Sequence, residues 1–405
     1  MTAVSLQEKP SIKRQSAADL KLAAGVVYPA LIKRYVVAGG TAMMDTVALA
    51  DLNPTSRELI EIVLRRGPLS RAAISKQTGL SSGSLTRLTA PLVDAGYLTE
   101  GEPTMAPVGR PALPLEVSDS AARFVGVKIV PGRVYAVLVG LRGVVHASVT
   151  EAADTTSPES AAKAIAGVLA AHSDWQPEGL GVSLGAAVDP FGTVRAAAFH
   201  GWHGGNIVGA VTATTGLTCT AANDVEALTL AEHWFGHGRG AHNFAVVTVG
   251  LGVGAGAIVE DRILVGHQGS AGMLGRVWSR DGRTFHDLLA TRQLIERASA
   301  AAHRPVTPDD LGTDDPAVEQ VMAEAAEKLG ELVGLAKLAW GPQRVLITGD
   351  GIAPFVSRRA DIERGLMRYR YQDIDPPELV IGDELDFFDW ARGAATLAVH
   401  ASLRR

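Results

Sequence analysis

The chain has 405 residues, a formal net charge of −5 and a single cysteine, Cys219. A length beyond about 250–300 residues predicts two or three domains rather than one core. The acidic balance excludes a protein that binds nucleic acid through its overall charge, so any such binding must use one local face. A lone cysteine excludes an intramolecular disulfide and is typical of a reducing compartment, so we expect a cytoplasmic protein.

The first 52 residues show little regular pattern, and no secretory signal is visible. The apolar stretch from Leu20 to Ala50 is interrupted by Pro29, by a basic pair and by a Gly-Gly pair, so it is too broken to span a bilayer. We expect residues 1–52 to form a poorly ordered extension with at most one short helix. A functional arm is the alternative.

Residues 53–118 have the pattern of a winged helix-turn-helix domain. "TSRELIEIVLRRG" has its apolar residues on one helical face, "SRAAISKQTG" predicts a short second helix with serine and glycine caps, and "SSGSLTRLTAPLVDAGYL" predicts a third. Two strands are predicted to follow, near Tyr97–Thr99 and near Leu113–Val117. Pro91 lies inside the third helix and should kink it. A generic small helical domain is the alternative.

Charge and composition favour DNA binding by this block. Between Thr55 and Pro111, seven basic residues stand against five acidic ones, a local charge of +2. The third helix begins with small or polar residues only, as a helix end that enters the major groove requires. "GRP" at 109–111 also resembles the core of minor-groove-reading hooks. We predict base contacts by one set of residues and phosphate contacts by another, namely Ser82, Ser84, Thr86 and Arg87 at the groove, and Arg71, Lys76 and Arg110 nearer the phosphates.

From Ser120 the pattern changes to alternating strands and helices. Two segments, one from Phe124 and one from Phe244, align without gaps as strand, turn, strand, turn, strand. Helices follow each segment, and Thr156 and Glu159 are spaced for a capping box at the start of the first one. This internal repeat predicts two similar lobes with a ligand cleft between them.

The stretch "TVGLGVGAGAIV" from Thr248 to Val259 has glycine at every second position. A GxGxxG phosphate loop would need glycine at 255 or 257, where the chain has alanine, and no GxxxxGK[ST] motif occurs. Alternate glycines leave one face of a strand bare, so another group can approach the backbone closely.

Several motifs occur in the order found in the ROK family of repressors, open reading frames and sugar kinases. They are "VSLGAAVDPFG", Gly201–Trp202, "NDVEALTLAEHWFG", the glycine stretch, "GSAGMLG", "ITGDGIAP" and "ARGAATLA". The chain resembles this family from about Ser70 onward and includes the winged-helix block of its regulator branch. The resemblance implies an α+β multidomain fold, in which the winged helix-turn-helix precedes a duplicated, ribonuclease-H-like (actin-like ATPase) ligand-sensing and oligomerisation domain over residues 119–405.

Departures from the family pattern argue against an enzyme. ROK kinases begin the first lobe with an Asp-Gly-Gly-Thr turn that holds phosphate and magnesium, whereas this chain has "VGVKIVPG" around Val127. The kinases' Gly-Thr-Gly is Gly250-Leu251-Gly252 here. Without that carboxylate and hydroxyl, little remains to place a metal and a γ-phosphate. We therefore expect no catalysis and no cofactor, and we interpret the glycine stretch as a close packing contact.

The resemblance also locates the family's zinc and sugar sites, and both are altered. Arg276 replaces the zinc-ligating histidine and the cysteine cluster is missing, so no metal site is expected. Met273 replaces the sugar-binding glutamate and cannot accept paired hydroxyls as a carboxylate does. Asn223–Asp224 matches the segment with the kinases' general base, although Asp224 would also serve as a helix N-cap.

The matched segments imply a set of ligand-binding residues: Trp202, His203, Asn223, Asp224, Met273 and Arg276. The changes at 273 and 276 move the local charge about two units towards positive, which suits a sugar phosphate or a carboxylate metabolite. The alternative is that Arg276 forms a salt bridge with Asp281 or Asp287. His200 and the pair His233 and His237 are better explained as solvated or cleft-lining residues than as metal ligands.

The sequence therefore predicts a DNA-binding transcriptional regulator. Its expected partners are double-stranded operator DNA, a sugar or sugar-derived anion as effector, and further copies of the chain in a homodimer or homotetramer, with no membrane. The alternatives are a sugar kinase with an appended DNA-binding domain and a DNA-binding protein that senses nothing.

Overall fold

The computed structural model describes residues 48–103, 113–197, 199–202 and 204–404. The N-terminal block has the predicted arrangement of helices and strands. Its elements are α1 (Pro54–Arg66), α2 (Arg71–Thr78), α3 (Ser82–Asp94), β1 (Leu98–Glu100) and β2 (Leu115–Val117). β1 and β2 pair in antiparallel fashion and form the stem of the wing.

Polar caps determine where the three helices begin. Asn53, Ser70 and Ser81 each accept a hydrogen bond from the backbone N–H three residues further on, which satisfies one free donor of the first turn. α2 ends at Gly79 in the left-handed conformation (φ 71°). α3 continues through Pro91 to Asp94 as one helix.

The packed structure begins earlier than the predicted boundary of the extension. A 3₁₀ turn covers Leu49–Asp51, and Leu49 is fully buried. Its backbone N–H donates to Glu178 of the following domain at 3.0 Å. Residues 48–52 therefore pack with the folded domains, and residues 1–47 lie outside the described part of the chain.

The first lobe contains a five-stranded mixed sheet in the order β5-β4-β3-β6-β9. β3, β4 and β5 are antiparallel, whereas β3, β6 and β9 run parallel. The short hairpin β7–β8 was not anticipated from the sequence. The elements are β3 (Arg123–Val130), β4 (Arg133–Gly140), β5 (Val145–Ala152), α4 (Pro158–Ala171), β6 (Gly179–Leu184), β7 (Ala187–Val188), β8 (Val194–Ala196), α5 (Ile207–Thr215), β9 (Cys219–Asn223) and α6 (Asp224–Phe235).

The second lobe repeats this topology in the sheet β12-β11-β10-β13-β14, which confirms the predicted duplication. α9, with 25 residues, covers one face of the sheet. The elements are β10 (Phe244–Val249), β11 (Val253–Val259), β12 (Arg262–Ile263), α7 (Phe285–Leu289), α8 (Thr291–Ala302), α9 (Pro316–Trp340), β13 (Arg344–Gly349), α10 (Arg359–Met367), β14 (Glu378–Glu384) and α11 (Phe387–Arg404).

The last helix, α11, returns to the first lobe and lies directly on its sheet. A Cβ atom at Gly126 would come within 2.0 Å of the Ala391 carbonyl oxygen, and one at Gly181 within 1.8 Å of that of Ala394. The helix backbone can approach β3 and β6 this closely only because both strand positions are glycine. The chain thus crosses between the lobes after α6 and again before α11.

Two predicted helix caps are wrong by one residue. α4 begins at a capping box of Ser157 and Ser160, because the Thr156 hydroxyl donates to Asp154 at 2.6 Å instead. α6 is capped by Asn223, whose Oδ1 accepts the Val225 N–H at 2.9 Å, and Asp224 is the first helical residue. None of the helices in the described ranges is both long enough and apolar enough to cross a membrane.

Candidate DNA-binding surface and ligand cleft

α3 presents one polar face to solvent. Its buried side is formed by Leu85, Thr89 and Leu92. The opposite side is exposed and consists of residues one or two helical turns apart, namely Ser82, Gly83, Thr86, Arg87 and Ala90. Ser84 lies beside this face, half-buried, and shares a hydrogen bond of 2.9 Å with the Ser81 hydroxyl. Three of the four predicted base-contacting residues therefore lie on one exposed surface.

The predicted phosphate-contacting residues differ in their availability. Within the described ranges, neither Lys76 nor Arg87 has a carboxylate within ion-pair distance, and both are exposed. Arg71 instead donates to Glu100 at 2.8 Å and to Thr89 at 3.4 Å, so it joins α2 to the wing. Arg110 lies outside the described residues.

A buried ion pair lies where β3, α6 and α11 meet. The Lys128 ammonium donates to the Asp224 carboxylate, and their side chains are only 6% and 16% exposed. The same ammonium lies 5.3 Å from the centroid of the Trp390 ring. An unpaired charge at this depth is costly, so each of the two side chains can stay buried in its charged form only because the other carries the opposite charge.

Asp350, just after β13, contributes a second carboxyl group from the other lobe. It accepts the Leu251 N–H at 3.3 Å, and a Cβ on Gly250 would lie 1.9 Å from its Oδ1. Burial raises the pKa of Asp350, although the Leu251 N–H and the nearby Lys128 oppose this. Lys128, Asp224 and Asp350 thus form a charged cluster at the junction of the lobes.

Helix α6 packs against the alternating glycines of β11. A Cβ at Gly254 would lie 3.0 Å from Val225, and one at Gly256 would lie 2.1 Å from the Thr229 hydroxyl. Gly256 in particular cannot take a side chain without displacing the helix. The interpretation of this stretch as a packing contact is confirmed for Gly254 and Gly256, whereas at Gly252 the nearest atom to a Cβ would be 3.9 Å away, in Phe199.

Residues 267–276 lie between β11 and the first lobe. Gly272 and Gly275 lie against the backbone carbonyls of Ala255 and Val253, and Gly269 lies against Val188 of the first lobe. This contact holds the 3₁₀ turn Leu274–Arg276 beside the glycine stretch.

Met273 and Arg276 are both exposed in this segment. The alternative salt bridges of Arg276 are not observed in the described part of the chain. Asp281 pairs with Arg283 at 2.7 Å, and Asp287 forms the capping box of α7 with Thr284. Arg276 thus forms no ion pair with either carboxylate, although its charge adds to the effect of the Thr284 hydrogen bonds in lowering the pKa of Asp287.

Three of the other predicted ligand residues make internal contacts. Trp202 is buried, 3% exposed, and its Nε1 donates to the Thr155 carbonyl at 2.9 Å, so it offers no open ring face here. The Asn223 amide donates to the Ala186 carbonyl at 3.0 Å, and Asp224 pairs with Lys128. His203 lies outside the described residues. The ligand-binding roles of these residues stay predictions.

Sequence reasoning missed three residues near the junction of the lobes, Phe199, Lys128 and Asp350, and named His200 only as a solvated or cleft-lining residue. Phe199 is 57% exposed, and its ring lies 3.2 Å from the Cβ position of Gly185 and 3.9 Å from that of Gly252. Both ring nitrogens of His200 are buried without a hydrogen-bond partner among the described residues, and burial lowers its pKa to about 4. Lys128 could have been noticed in the sequence, because a lysine within the otherwise apolar strand "FVGVKIV" is unusual and must find a partner when it is buried.

Among the residues that the structure describes, no three histidine, cysteine or acidic side chains come together as a metal site. Near the junction of the lobes the structure instead has the Lys128–Asp224 pair, the buried Asp350 carboxyl and the exposed Arg276 guanidinium. The Asp224 carboxylate is already engaged by the lysine ammonium through Oδ2.

Comparison with known proteins identifies the class to which this architecture belongs. The ROK family profile matches residues 125–399, and the profile described as winged helix-turn-helix DNA-binding matches residues 52–99. The chain belongs to the ROK family and carries the DNA-binding domain of its transcriptional regulators. It is 25% identical over 342 residues to the DNA-binding transcriptional dual regulator NagC of Escherichia coli K12, covering 77% of this chain and 84% of that protein.

Solved structures confirm the predicted fold. A crystal structure of a ROK family transcriptional regulator, a homologue of the E. coli MLC protein, superposes with a TM-score of 0.71 at 20% identity, covering 87% of this chain and 97% of that one. A ROK family glucokinase from Streptomyces griseus, in complex with glucose and AMPPNP, gives a TM-score of 0.58 at 21% identity, covering 68% and 99%. Regulators and kinases of this family thus share the two-lobed fold.

Proposed function

We propose that this protein is a cytoplasmic transcriptional regulator that binds operator DNA through α3 and senses a small molecule between its two lobes. The main support is the exposed face of α3, which is small and polar and on which Arg87 has no ion pair with any described residue. A helix of this kind can enter the major groove, where an unpaired arginine can bind guanine in a bidentate manner. Similarity to NagC supports the same assignment.

Within this proposal, Ser82, Thr86 and Arg87 contact bases, with Ser84 at the edge of the surface. Lys76 contacts a phosphate, and Arg110 extends the contact from the wing. Arg71 holds the wing against α2 through Glu100, so its role at the DNA is to position the wing. Phosphate contacts supply affinity and base contacts supply specificity, so the two groups are separable by mutation.

The test is a pair of alanine variants measured against an operator fragment over a range of salt concentrations. Arg87→Ala should lower specific affinity by about 1–3 kcal/mol, whereas Lys76→Ala should weaken all sequences alike and reduce the salt slope by about 1. Arg292→Ala is the control, because Arg292 is an exposed second-lobe arginine that pairs with Glu296, one turn further along α8. Equal effects of Arg87→Ala and Arg292→Ala would overturn the assignment of α3.

We further propose that the cleft carries out no phosphoryl transfer. The kinase alternative draws on the structural likeness to the Streptomyces griseus glucokinase. Against it stands Lys128, whose ammonium occupies the Asp224 carboxylate that would otherwise act as base. ATP-dependent phosphorylation of any sugar in a broad panel, above the level of an Asp224→Asn variant, would establish the kinase instead.

For the effector, we propose a sugar or a sugar-derived anion. Arg276 is exposed and its neighbouring carboxylates are engaged elsewhere, so a phosphate or carboxylate group could pair with it bidentately. Calorimetry with glucose, a hexose phosphate and a dicarboxylate tests this, with Arg280→Ala as the matched control four residues away. Tight glucose binding that survives Arg276→Ala would refute an anionic effector and leave the DNA-binding assignment intact.

A further inference from the structure

The C-terminal turn of α1 lies over the connection between the two lobes. Arg239 belongs to residues 236–243, which join α6 of the first lobe to β10 of the second. Its guanidinium donates to the backbone carbonyls of Arg65 at 3.3 Å and Leu64 at 3.4 Å. These carbonyls are free acceptors because they end the helix, and a cation is favourable there.

The DNA-binding domain is attached to the first lobe by apolar packing. Leu59, Ile60 and Val63 of α1 belong to the same buried cluster as Leu397 and Leu403 of α11. At the edge of this cluster, Arg404 donates to Glu61 at 2.8 Å. Movement of α1 relative to the first lobe would expose this core, so the two should move together.

The contact with the second lobe is an ion pair. Asp261, in the turn between β11 and β12, accepts from Arg65 at 2.5 Å and lies 3.6 Å from Arg66. His242 lies 2.6 Å from its other oxygen. Burial tends to raise the pKa of Asp261, but the hydrogen bond with His242 and the positive charge of Arg65 outweigh it and hold this pKa below its ordinary value. Asp261 is therefore a carboxylate at neutral pH.

No apolar packing accompanies this ion pair in the described part of the chain. Open depressions of about 460 Å³ and 450 Å³ adjoin α1, but they lie against the end of α11 and against Gln77 of α2, not between α1 and the second lobe. Glu260 and Asp261 both have positive φ, 50° and 65°, in a tight turn that points the carboxylate at α1. Among the described residues, the buried cluster that holds α1 includes no residue of β10–β14, so α1 meets the second lobe through the Asp261 ion pairs and not through an apolar core.

Two elements run from this contact to the cleft. β11 starts at Val253, within the glycine stretch, and ends at Val259, two residues before Asp261. α6 starts at Asp224 in the charged cluster, and its His233 lies 3.6 Å from Asp261 near the other end. A shift of either element at the cleft therefore changes the position of the groups around Asp261.

We propose that the second lobe controls the DNA-binding domain through the ion pairs of Asp261 with Arg65 and Arg66, which we call the latch. This inference rests on the proposed function, since it assigns a regulatory role to the same cleft. When a ligand draws the lobes together, α1 stays with the first lobe through its apolar core, and the Asp261 contacts to Arg65 and Arg66 must lengthen or rearrange. The ion pair is the contact that yields, because it can change length without exposing apolar surface.

The first test needs neither DNA nor effector. Hydrogen exchange of the full-length protein is compared for the wild type, Asp261→Asn and Glu363→Gln, the last of which removes an exposed second-lobe ion pair with Arg359. Asp261→Asn should speed exchange several-fold in the last turn of α1, where Arg65 and Arg66 lose their carboxylate, whereas Glu363→Gln should leave this turn unchanged. Wild-type exchange rates in the last turn of α1 in Asp261→Asn would overturn the latch, because the second lobe would then not be holding α1.

The second test uses genomic DNA fragments retained by the wild type, with N-acetylglucosamine, glucose and glucose 6-phosphate as probes. Asp261→Asn should bind the fragments but lose most of the fold-change that a probe causes in the wild type. If Asp261→Asn responds to a probe as the wild type does, the latch is wrong but the regulator assignment stands. A wild-type protein that retains no fragment would instead overturn the regulator assignment, and with it the regulatory role of the latch.

Discussion

The buried pair of Lys128 and Asp224 should be one of the strongest single determinants of first-lobe stability. Lys128→Met keeps the length of the side chain and its packing on Trp390 but leaves the Asp224 carboxylate without its cation. Removing one partner of a buried pair costs about 3–5 kcal/mol, chiefly because the remaining charge stays buried. Since Asp224 is 16% exposed, we expect a loss near the lower end, about 3 kcal/mol.

A double-mutant cycle separates the pair from the individual side chains. Asp224→Asn should cost a similar amount, and the double variant Lys128→Met/Asp224→Asn should cost clearly less than the two single losses added together, with a coupling of about 2–3 kcal/mol. Native-state hydrogen exchange of the β3 and β6 amides measures the opening free energy of this lobe. Lys163→Met, an exposed lysine on α4, should stay within about 0.5 kcal/mol of the wild type.

Additive single variants, or a Lys128→Met variant as stable as Lys163→Met, would refute this reasoning. Either result would mean that the two side chains are not paired in the folded protein. Asp224 would then be free, and the argument against a catalytic base in the cleft would lose its main support.

Three further predictions concern the whole protein. Burial lowers the pKa of both His233 and His400 to about 4. Their folded-state pKa lies below the unfolded value of about 6.5, so the stability they contribute is present above that pH and lost as the pH falls, by roughly 2 kcal/mol each at pH 5. His400→Phe should reduce the drop in unfolding midpoint between pH 7 and pH 5, and an unchanged drop would contradict the assignment. Light scattering should give at least a dimer, since two symmetric winged helices read two half-sites, and a monomer at micromolar concentration would rule this out. Elemental analysis should find no stoichiometric zinc, and a molar equivalent of zinc would show that our interpretation of Arg276 is wrong.

Local sequence signals predicted most of the architecture. The caps at Ser70 and Gly79 lie where the pattern of polar and glycine residues indicated, since each acts through hydrogen bonds within a few residues. The strand-turn-strand repeat was readable because apolar runs separated by short turns recur in the same order, with Pro-Gly and Arg-Gly turns in the first segment and Gly-Leu-Gly and Glu-Asp turns in the second. The short hairpin β7–β8 carried no comparable signal, and its two-residue strand Ala187–Val188 is too short to show alternation.

The features that escaped prediction depend on contacts between distant parts of the chain. The Lys128–Asp224 pair joins residues 96 positions apart, and only the folded sheet brings them together. The return of α11 to the first lobe depends on Gly126 and Gly181, whose small size has no meaning until a helix lies on them. Asn223 and Asp224 are equally good caps by residue type, and the end of β9 decides between them.

The central claim is that α3 reads the sequence of double-stranded DNA, and its most direct test is sequencing of the genomic fragments that the protein retains. The wild type should enrich a small set of fragments that share one sequence, arranged as two symmetric half-sites. Arg87→Ala should retain DNA at low salt but lose this enrichment, because phosphate contacts remain while the base contact is gone. No enrichment by the wild type, or the same enrichment by Arg87→Ala, would contradict the account.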